Sequence, residues 1–460
     1  MSKTILVTAL FCALLSAASA VVVFQDSSFW GVPLRVLTNT DVTNFRYPFL
    51  GRYKNDQYVA MWGFFGTGTS PVTYNAYLRL LDASTFTAVG NDTLVTLDAN
   101  ITSTPFFASS TDGYVVIAGV KQEVVGTTTD TDSGTTTDVT QTSVTATICS
   151  SDASNSSVTT LTFGATTNSA VNYTIYSVWF DTDYFFIAYT ELVSNVESGV
   201  YLVGFKTDGT NLTASPLALN TVTLSGTSGL KANSNGSVLI AAWRKTTQAE
   251  VVYIELNLAN TSAPGNETVL AKDTTTVEFY PASIIFAENY YVILLSQVTS
   301  DESVGLTVSY SGNTTTSTLN FTLGSDYNTF TISAGDKYYD GWFIITRQLA
   351  ESGGTISATE ETLQVYNYTD TSNSTNSSNA STVITANNTQ MMLLMDGSVT
   401  QGFLHPNSSY FIMVLNDYDG VTGSWTHAYV GQLFYKISFA SVIQSVMTLM
   451  LAVATFFAIF

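Results

Sequence analysis

Carboxylates are the commonest reactive groups in this chain, and one cluster of them has a spacing that suits a hard cation. Asp130, Asp132 and Asp138 flank Gly134 within GTTTDTDSGTTTD. Oxygen ligands at alternate positions ahead of a glycine turn are what calcium takes. One acidic position of such a loop is missing and the flanks are threonine. The first expectation for residues 126–138 is therefore a flexible Thr-rich loop with too little apolar content to pack, and calcium binding is the alternative. Asp417 and Asp419 in NDYDG read as a hairpin turn. Other chemistries lack their parts. His405 and His427 are the two histidines, too few for a His-rich metal centre, and His427 beside Trp425 reads as packed or solvated. No Gly-x-Ser-x-Gly elbow or phosphate loop occurs, and no organic cofactor is implied. A pair of carboxylates for glycoside hydrolysis cannot be picked out by spacing, because its members would come from separate structural units.

The two ends carry addresses. Lys3 precedes an apolar run over residues 5–15, and Ala18, Ser19 and Ala20 supply the small residues that a signal peptidase reads. A signal peptide over 1–20 and a mature start at Val21 are expected; the run is too short for a membrane anchor. Residues 442–460 are almost wholly apolar and uncharged. Following the small residues Ser438, Ala440 and Ser441, this tail resembles a glycosylphosphatidylinositol attachment signal, which implies a lipid anchor, with Ser438 the candidate attachment residue. The spacer between candidate site and tail is shorter than usual, and a retained transmembrane helix is the competing expectation for 439–460. Asn-x-Ser/Thr triplets stand at Asn91, Asn100, Asn155, Asn172, Asn211, Asn235, Asn260, Asn266, Asn313, Asn320, Asn367, Asn373, Asn376, Asn379, Asn387 and Asn407. In an exported chain, several of these carry glycans and lie on exposed loops or outer strands. The expected location is the outer face of the plasma membrane.

Composition excludes some partners. A formal net charge of −20 repels nucleic acid and anionic lipid. Cys12 falls in the leader, which leaves Cys149 alone. Without an internal disulfide the fold must rest on a large core, for which 25 Tyr and 27 Phe provide the area. Cys149 sits in the alternating stretch VTATICS and reads as a buried strand residue, with an intermolecular bridge as the alternative.

An apolar segment recurs along the chain: YVAMW at Tyr58, YVVIA at Tyr114, YFFIA at Tyr184, SVLIA at Ser237, YYVIL at Tyr290, WFIIT at Trp342 and YFIMV at Tyr410. The three spacings from Tyr184 through Ser237 and Tyr290 to Trp342 are about 53 residues each. Most copies follow a turn such as Asp112-Gly113 or Asn235-Gly236, and each reads as a fully buried inner strand. A more alternating strand follows each one, for instance AYLRLLD from Ala76 and VVYIELN from Val251. The two long spacings contain residues 126–138 and the Asn/Ser/Thr stretch 370–381, both expected as loop insertions.

Units of about 50 residues with some four short strands resemble the blades of β-propellers. That resemblance implies an all-β, seven-bladed propeller of four-stranded antiparallel blades over residues 21–438. Tandem β-sandwich domains are the alternative. Residues 31–38 (GVPLRVLT) are expected to close the ring as the outer strand of the last blade, antiparallel to 428–434. Neither a Trp-Asp dipeptide nor a kelch-type Gly-Gly pair occurs, so no propeller family is indicated. The stretch TDTDSGTTT distantly resembles the Asp box of sialidases but lacks its tryptophan. Trp62, Trp179, Trp243, Trp342 and Trp425 are expected to pack between blades. The reading that follows is a membrane-anchored, glycosylated binding, adhesion or coat protein whose partner is an extracellular protein or glycan. A glycan-active hydrolase with its site in the central channel, or a receptor component needing a transmembrane partner, are the alternatives.

Overall fold

The computed structural model describes residues 22–24 and, apart from short connections, 45–436; side chains are described for much of 51–296. Residues 1–21, 25–44, 370–382 and 437–460 lie outside the described residues, and with them the leader, the expected strand at 31–38, the second insertion, Ser438 and the apolar tail.

Runs of Val, Ile, Thr, Tyr and Phe broken by Gly and Asn turns favour short strands joined by tight connections. The described residues form seven antiparallel sheets of four strands, each with open edges. In six of them the strands are consecutive in the chain. The third sheet, for example, runs Val171–Asp181, Tyr184–Val193, Val196–Phe205, Leu217–Ala218. The last sheet takes its fourth strand from the other end of the chain: Val22–Phe24 pairs antiparallel with Ser424–Lys436, with Val22 opposite Lys436 and Phe24 opposite Phe434. Val22–Phe24 thus takes the outer edge beside Phe434–Lys436, and the strand expected at 31–38 lies outside the described residues.

The first strand of each sheet lies against the first strand of the next, and Gly397–Leu404 of the last sheet lies against Phe45–Tyr53 of the first. The approach is close. A Cβ on Gly51 would stand 1.9 Å from Ser109 Oγ of the neighbouring first strand. The recurring apolar segments are therefore the second strands, not the innermost ones. A second strand has a ladder on each edge and sheets packed on its faces, so its leading run is apolar; Tyr184–Val193 begins with one half-buried and six buried residues. First strands are only partly covered, and in six of the seven sheets they carry a register shift, as between Ile175 and Ser177 or Pro281 and Ser283. Such bulges bend and twist a strand.

The core lies between sheets rather than within any one. Phe186 and Ala188 of the third sheet meet Leu239, Ala241 and Trp243 of the fourth, and Val116, Ala118 and Val120 of the second meet Tyr173, Phe185 and Ile187 of the third. Trp243 is fully buried and Trp179 stacks on Phe186 with centroids 5.2 Å apart, as packing between sheets requires. Cys149 is buried between the first and second sheets, and burial pushes its thiol up to about 11.

One insertion departs from expectation. Residues 126–138 are not a loop. Tyr114–Thr129 and Thr136–Ser150 continue as a two-stranded ribbon through the Thr-rich stretch, turning at Gly134 with φ 67°. Low apolar content does not oppose a strand when the residues are β-branched, and threonine favours the extended backbone without a core to pack against.

Candidate functional site

The fourth sheet meets its neighbours through different chemistry at its two ends. At one end lie the turns between first and second strands. Asn55 N donates to Thr111 O at 2.6 Å, linking such turns of the first and second sheets. Between the third and fourth sheets the link is a carboxylate. Asp181 ends a first strand, and its Oδ2 accepts from Ser234 Oγ at 2.5 Å and from the backbone N–H of Gly236, while its Oδ1 accepts from Thr182 Oγ1 at 3.1 Å. Trp179 Nε1 donates to the same Ser234 Oγ at 2.9 Å. Beside this clasp opens a cleft of about 230 Å³ lined by Asp181, Asp183, Tyr184, Leu212, Ser237 and Leu258. Three donors hold the Asp181 carboxylate, so it works as a fastener between sheets.

The opposite end is ionic. Arg244 and Lys245 end a second strand and are both buried. Arg244 Nη2 donates to Asp273 Oδ2, with Glu278 3.8 Å away, and its guanidinium lies 4.6 Å from the Tyr280 ring centroid. Asp273 Oδ1 also accepts from Phe279 N at 3.0 Å. Burial alone would lower the Arg244 pKa; the Asp273 hydrogen bond, the facing Tyr280 phenol and the Asp273 and Glu278 carboxylates carry it above the ordinary value. Lys245 donates to Glu267 and lies 3.9 Å from Glu250, which is 3.6 Å from Lys272. Arg244 Nε and Glu267 Oε1 are buried without a hydrogen-bond partner among the described residues.

A third cluster combines phenols and acids. Tyr189 sits edge-on to Tyr173 at 5.6 Å and stacks on Tyr201 at 5.5 Å, Tyr173 donates to Gly164 O, and Tyr176 donates to Glu197. Burial pushes Tyr173 up to about 12 and raises Tyr176 and Tyr189 further, with Glu197 and Glu191 adding to the effect. These phenols stay protonated near neutral pH. They can donate hydrogen bonds, but none is prepared to attack as a phenolate.

The hydrolase alternative needs two carboxylates converging about 5 to 10 Å apart near the centre. Within the seven first strands the acids are Asp181, Glu278 and Asp336. Asp181 is the last residue of its strand and Glu278 the second of its own, at opposite ends of the sheets. Asp336 stands near the end of the first strand of the sixth sheet, three sheets from Asp181. No described first strand carries a carboxylate in its middle. It is a lysine that occupies such a place: Lys231, paired with Ala242, is depressed by burial. Sequence reading passed over it because a single Lys in TSGLKANS has no partner in spacing.

Of the sequon asparagines, Asn100, Asn172, Asn211, Asn235, Asn260 and Asn266 are exposed, and Asn313, Asn320, Asn367 and Asn387 lie on strands. Asn91, Asn155, Asn373, Asn376, Asn379 and Asn407 fall outside the described residues. Asp132 and Asp138 are exposed on the ribbon, the latter opposite Thr127, and Asp130 is outside the described residues. Among the described residues no group of three or more His, Cys, Asp or Glu side chains could hold a metal ion. His427 pairs through its backbone with Asp417, and His405 is not among the described residues. No helix among the described residues is long and apolar enough to cross a membrane.

No family model and no curated protein matches this chain. Among solved structures, the polysaccharide lyase Uly1 is 9% identical with a TM-score of 0.42, over 92% of this chain and 95% of its own. The periplasmic gluconolactonase PpgL of Pseudomonas aeruginosa is 10% identical with a TM-score of 0.42, over 83% of this chain and 96% of its own. The β-propeller domain of the Trilobed protease from Pyrococcus furiosus is 8% identical with a TM-score of 0.38, over 85% of this chain and all of its own.

Proposed function

We propose that this chain is a seven-bladed β-propeller, closed by Val22–Phe24 in its last blade, which acts at the cell surface by binding rather than by catalysis. The observation that carries the binding reading is the composition of the first strands, whose middles hold no carboxylate. Glycoside hydrolysis needs two carboxylates converging about 5 to 10 Å apart, whereas Asp181, Glu278 and Asp336 stand near strand ends in three separate sheets. The ring reading is supported by first strands that touch in sequence and by a last sheet completed from the N-terminal side. The surface reading is supported by the leader, the sequons and the apolar tail.

Treating intact expressing cells with phosphatidylinositol-specific phospholipase tests the address. Release of the protein into the medium is expected, with Ser438 as the attachment residue. Retention in the detergent phase after treatment identifies a transmembrane tail instead. Peptide N-glycosidase should also lower the apparent mass by several glycans; an unchanged mobility would refute the exported, glycosylated form.

A further inference from the structure

The ribbon formed by Tyr114–Thr129 and Thr136–Ser150 has no structural use in the ring. Its base is paired on both sides: Ile101 bridges Lys121, Gln122 N donates to Asn100 O at 2.9 Å, and Thr142 pairs with Thr166. Beyond those contacts, among the described residues, 123–129 and 136–141 pair only with each other. Seven residues of strand reach about 20 Å past the sheet. Side chains 124 to 129 are all exposed, Val124 at 60% and Val125 at 49%.

Exposed strand edges are templates for another strand, and proteins that avoid such pairing place lysine, proline or short strands there. Here the one such device is a bulge between Val124 and Gly126, near the ribbon's base. The ribbon is long, and its tip lacks Lys, Arg and Pro from residue 122 to 141. The charges it does carry are all acidic: Glu123, Asp130, Asp132 and Asp138. Lys121 at its base is already neutralised by Asp98 at 3.0 Å and Glu123 at 2.6 Å. No sequon lies within the ribbon itself; the nearest is the exposed Asn100 at its base. The ribbon also leaves the sheet at a second-to-third strand hairpin. Val22 and Lys436 meet at the other end of their sheet, the end of the first-to-second turns. A chain tethered through its tail would hold the ribbon away from the membrane.

We propose that this ribbon is a docking element that takes an extended, basic polypeptide segment of a partner by strand addition. This rests on the binding reading given above. Main-chain hydrogen bonds to the free edge supply affinity, and the acidic side chains select a basic sequence. A second copy of the chain fits less well, because two such edges would bring like charges together. The outward edge positions follow from the alternation of the ladder. Gln122 N points outward, and carrying that parity through the bulge between Val124 and Gly126 puts Val124, Thr127 and Thr129 outward too.

The test uses the purified full-length chain and a fluorescent ten-residue peptide of alternating Lys and Val, with alternating Glu and Val as control. Binding is read by anisotropy at low and at physiological salt. The Lys-Val peptide should bind, weaken as salt rises, and lose at least tenfold in affinity to the double variant Thr127→Pro, Thr129→Pro. That variant removes outward N–H groups and leaves the backbone bonds within the ribbon in place; of the side-chain bonds it loses only the exposed contact of Thr129 Oγ1 with Thr136 Oγ1 at 3.3 Å, so its melting temperature should stay close to the parent's. Equal binding to parent and variant, equal binding of the Glu-Val peptide, or no binding of Lys-Val would each overturn the proposal, as would ribbon-dependent dimerisation in sedimentation. Antibody staining of unpermeabilised cells reports the surface reading independently.

Discussion

Removing Asp273 tests how the fourth and fifth sheets are held together. Both partners of the Arg244–Asp273 pair are under a tenth exposed, at 9% and 7%. Deleting one partner of a buried pair costs about 3 to 5 kcal/mol, most of it from the charge left behind. Two groups soften the loss. Glu278 at 3.8 Å is 54% exposed and contributes less than about 1 kcal/mol, and the Tyr280 face contributes about another 1 kcal/mol whether or not Asp273 is present. Asp273→Ala also strips Phe279 N of its acceptor, about 1 kcal/mol. The net expectation is a loss near 3 kcal/mol. With about 2.1 cal/mol/K of unfolding entropy per residue over roughly 400 cooperative residues, that lowers Tm by about 4 °C in scanning calorimetry. Asp273→Asn keeps the acceptor for Phe279 and should lose about half as much. The decisive measurement is the cycle with Arg244→Met, which should show a coupling above about 1.5 kcal/mol. A coupling within about 0.5 kcal/mol of zero would refute the clamp, whatever the single variants do.

Gly236→Ala should be costlier than its exposed position suggests. Gly236 has φ +83°, and an added Cβ would stand 2.3 Å from Thr182 Oγ1; a loss of about 1 to 3 kcal/mol is expected, and Thr182→Ala should recover the clash but not the strain. An unchanged Tm in chemically matched samples would count against both. Cys149 should resist iodoacetamide at pH 8 in the native state and react on denaturation, because burial favours its thiol form. The folded pKa of about 11 lies above the unfolded value of about 8.5. Stability is thus complete below pH 8.5 and falls as pH rises towards 11, a slope that Cys149→Ala should remove.

The parts of this fold legible in the sequence are those that burial on two faces writes into residue type. Tyr114, Tyr184 and Trp342 mark second strands because such a strand has apolar neighbours on both sides and cannot alternate. First strands escaped notice for the opposite reason. They are half-covered, and a bulge such as that between Ile175 and Ser177 reverses their alternation in mid-strand, so neither a continuous nor a period-two signal survives. The ribbon was misread because apolar content was asked to report strand, whereas Thr127, Thr128 and Thr129 report it through backbone preference alone. Clusters such as Arg244 with Asp273 and Asp181 with Ser234 join residues 29 and 53 positions apart, and no local spacing encodes them.

The pairing of Val22–Phe24 with the last strand carries the most mechanical consequence. Val22, Val23 and Phe24 carry no strand signal of their own, since three apolar residues after an apolar N-terminal run read as its continuation. Their pairing with Lys436, Tyr435 and Phe434 puts the first residues of the expected mature chain beside the last residues before the expected anchor. A three-residue ladder supplies only about 3 kcal/mol through its backbone bonds, and it forms between segments more than 400 residues apart, the costliest loop this chain can close. It therefore gains most if the packing between sheets forms first, so that the first strands already lie in contact and the two ends are brought within reach of each other. On this reasoning the three-residue ladder forms late, and it secures two ends that the packing between sheets has already brought together.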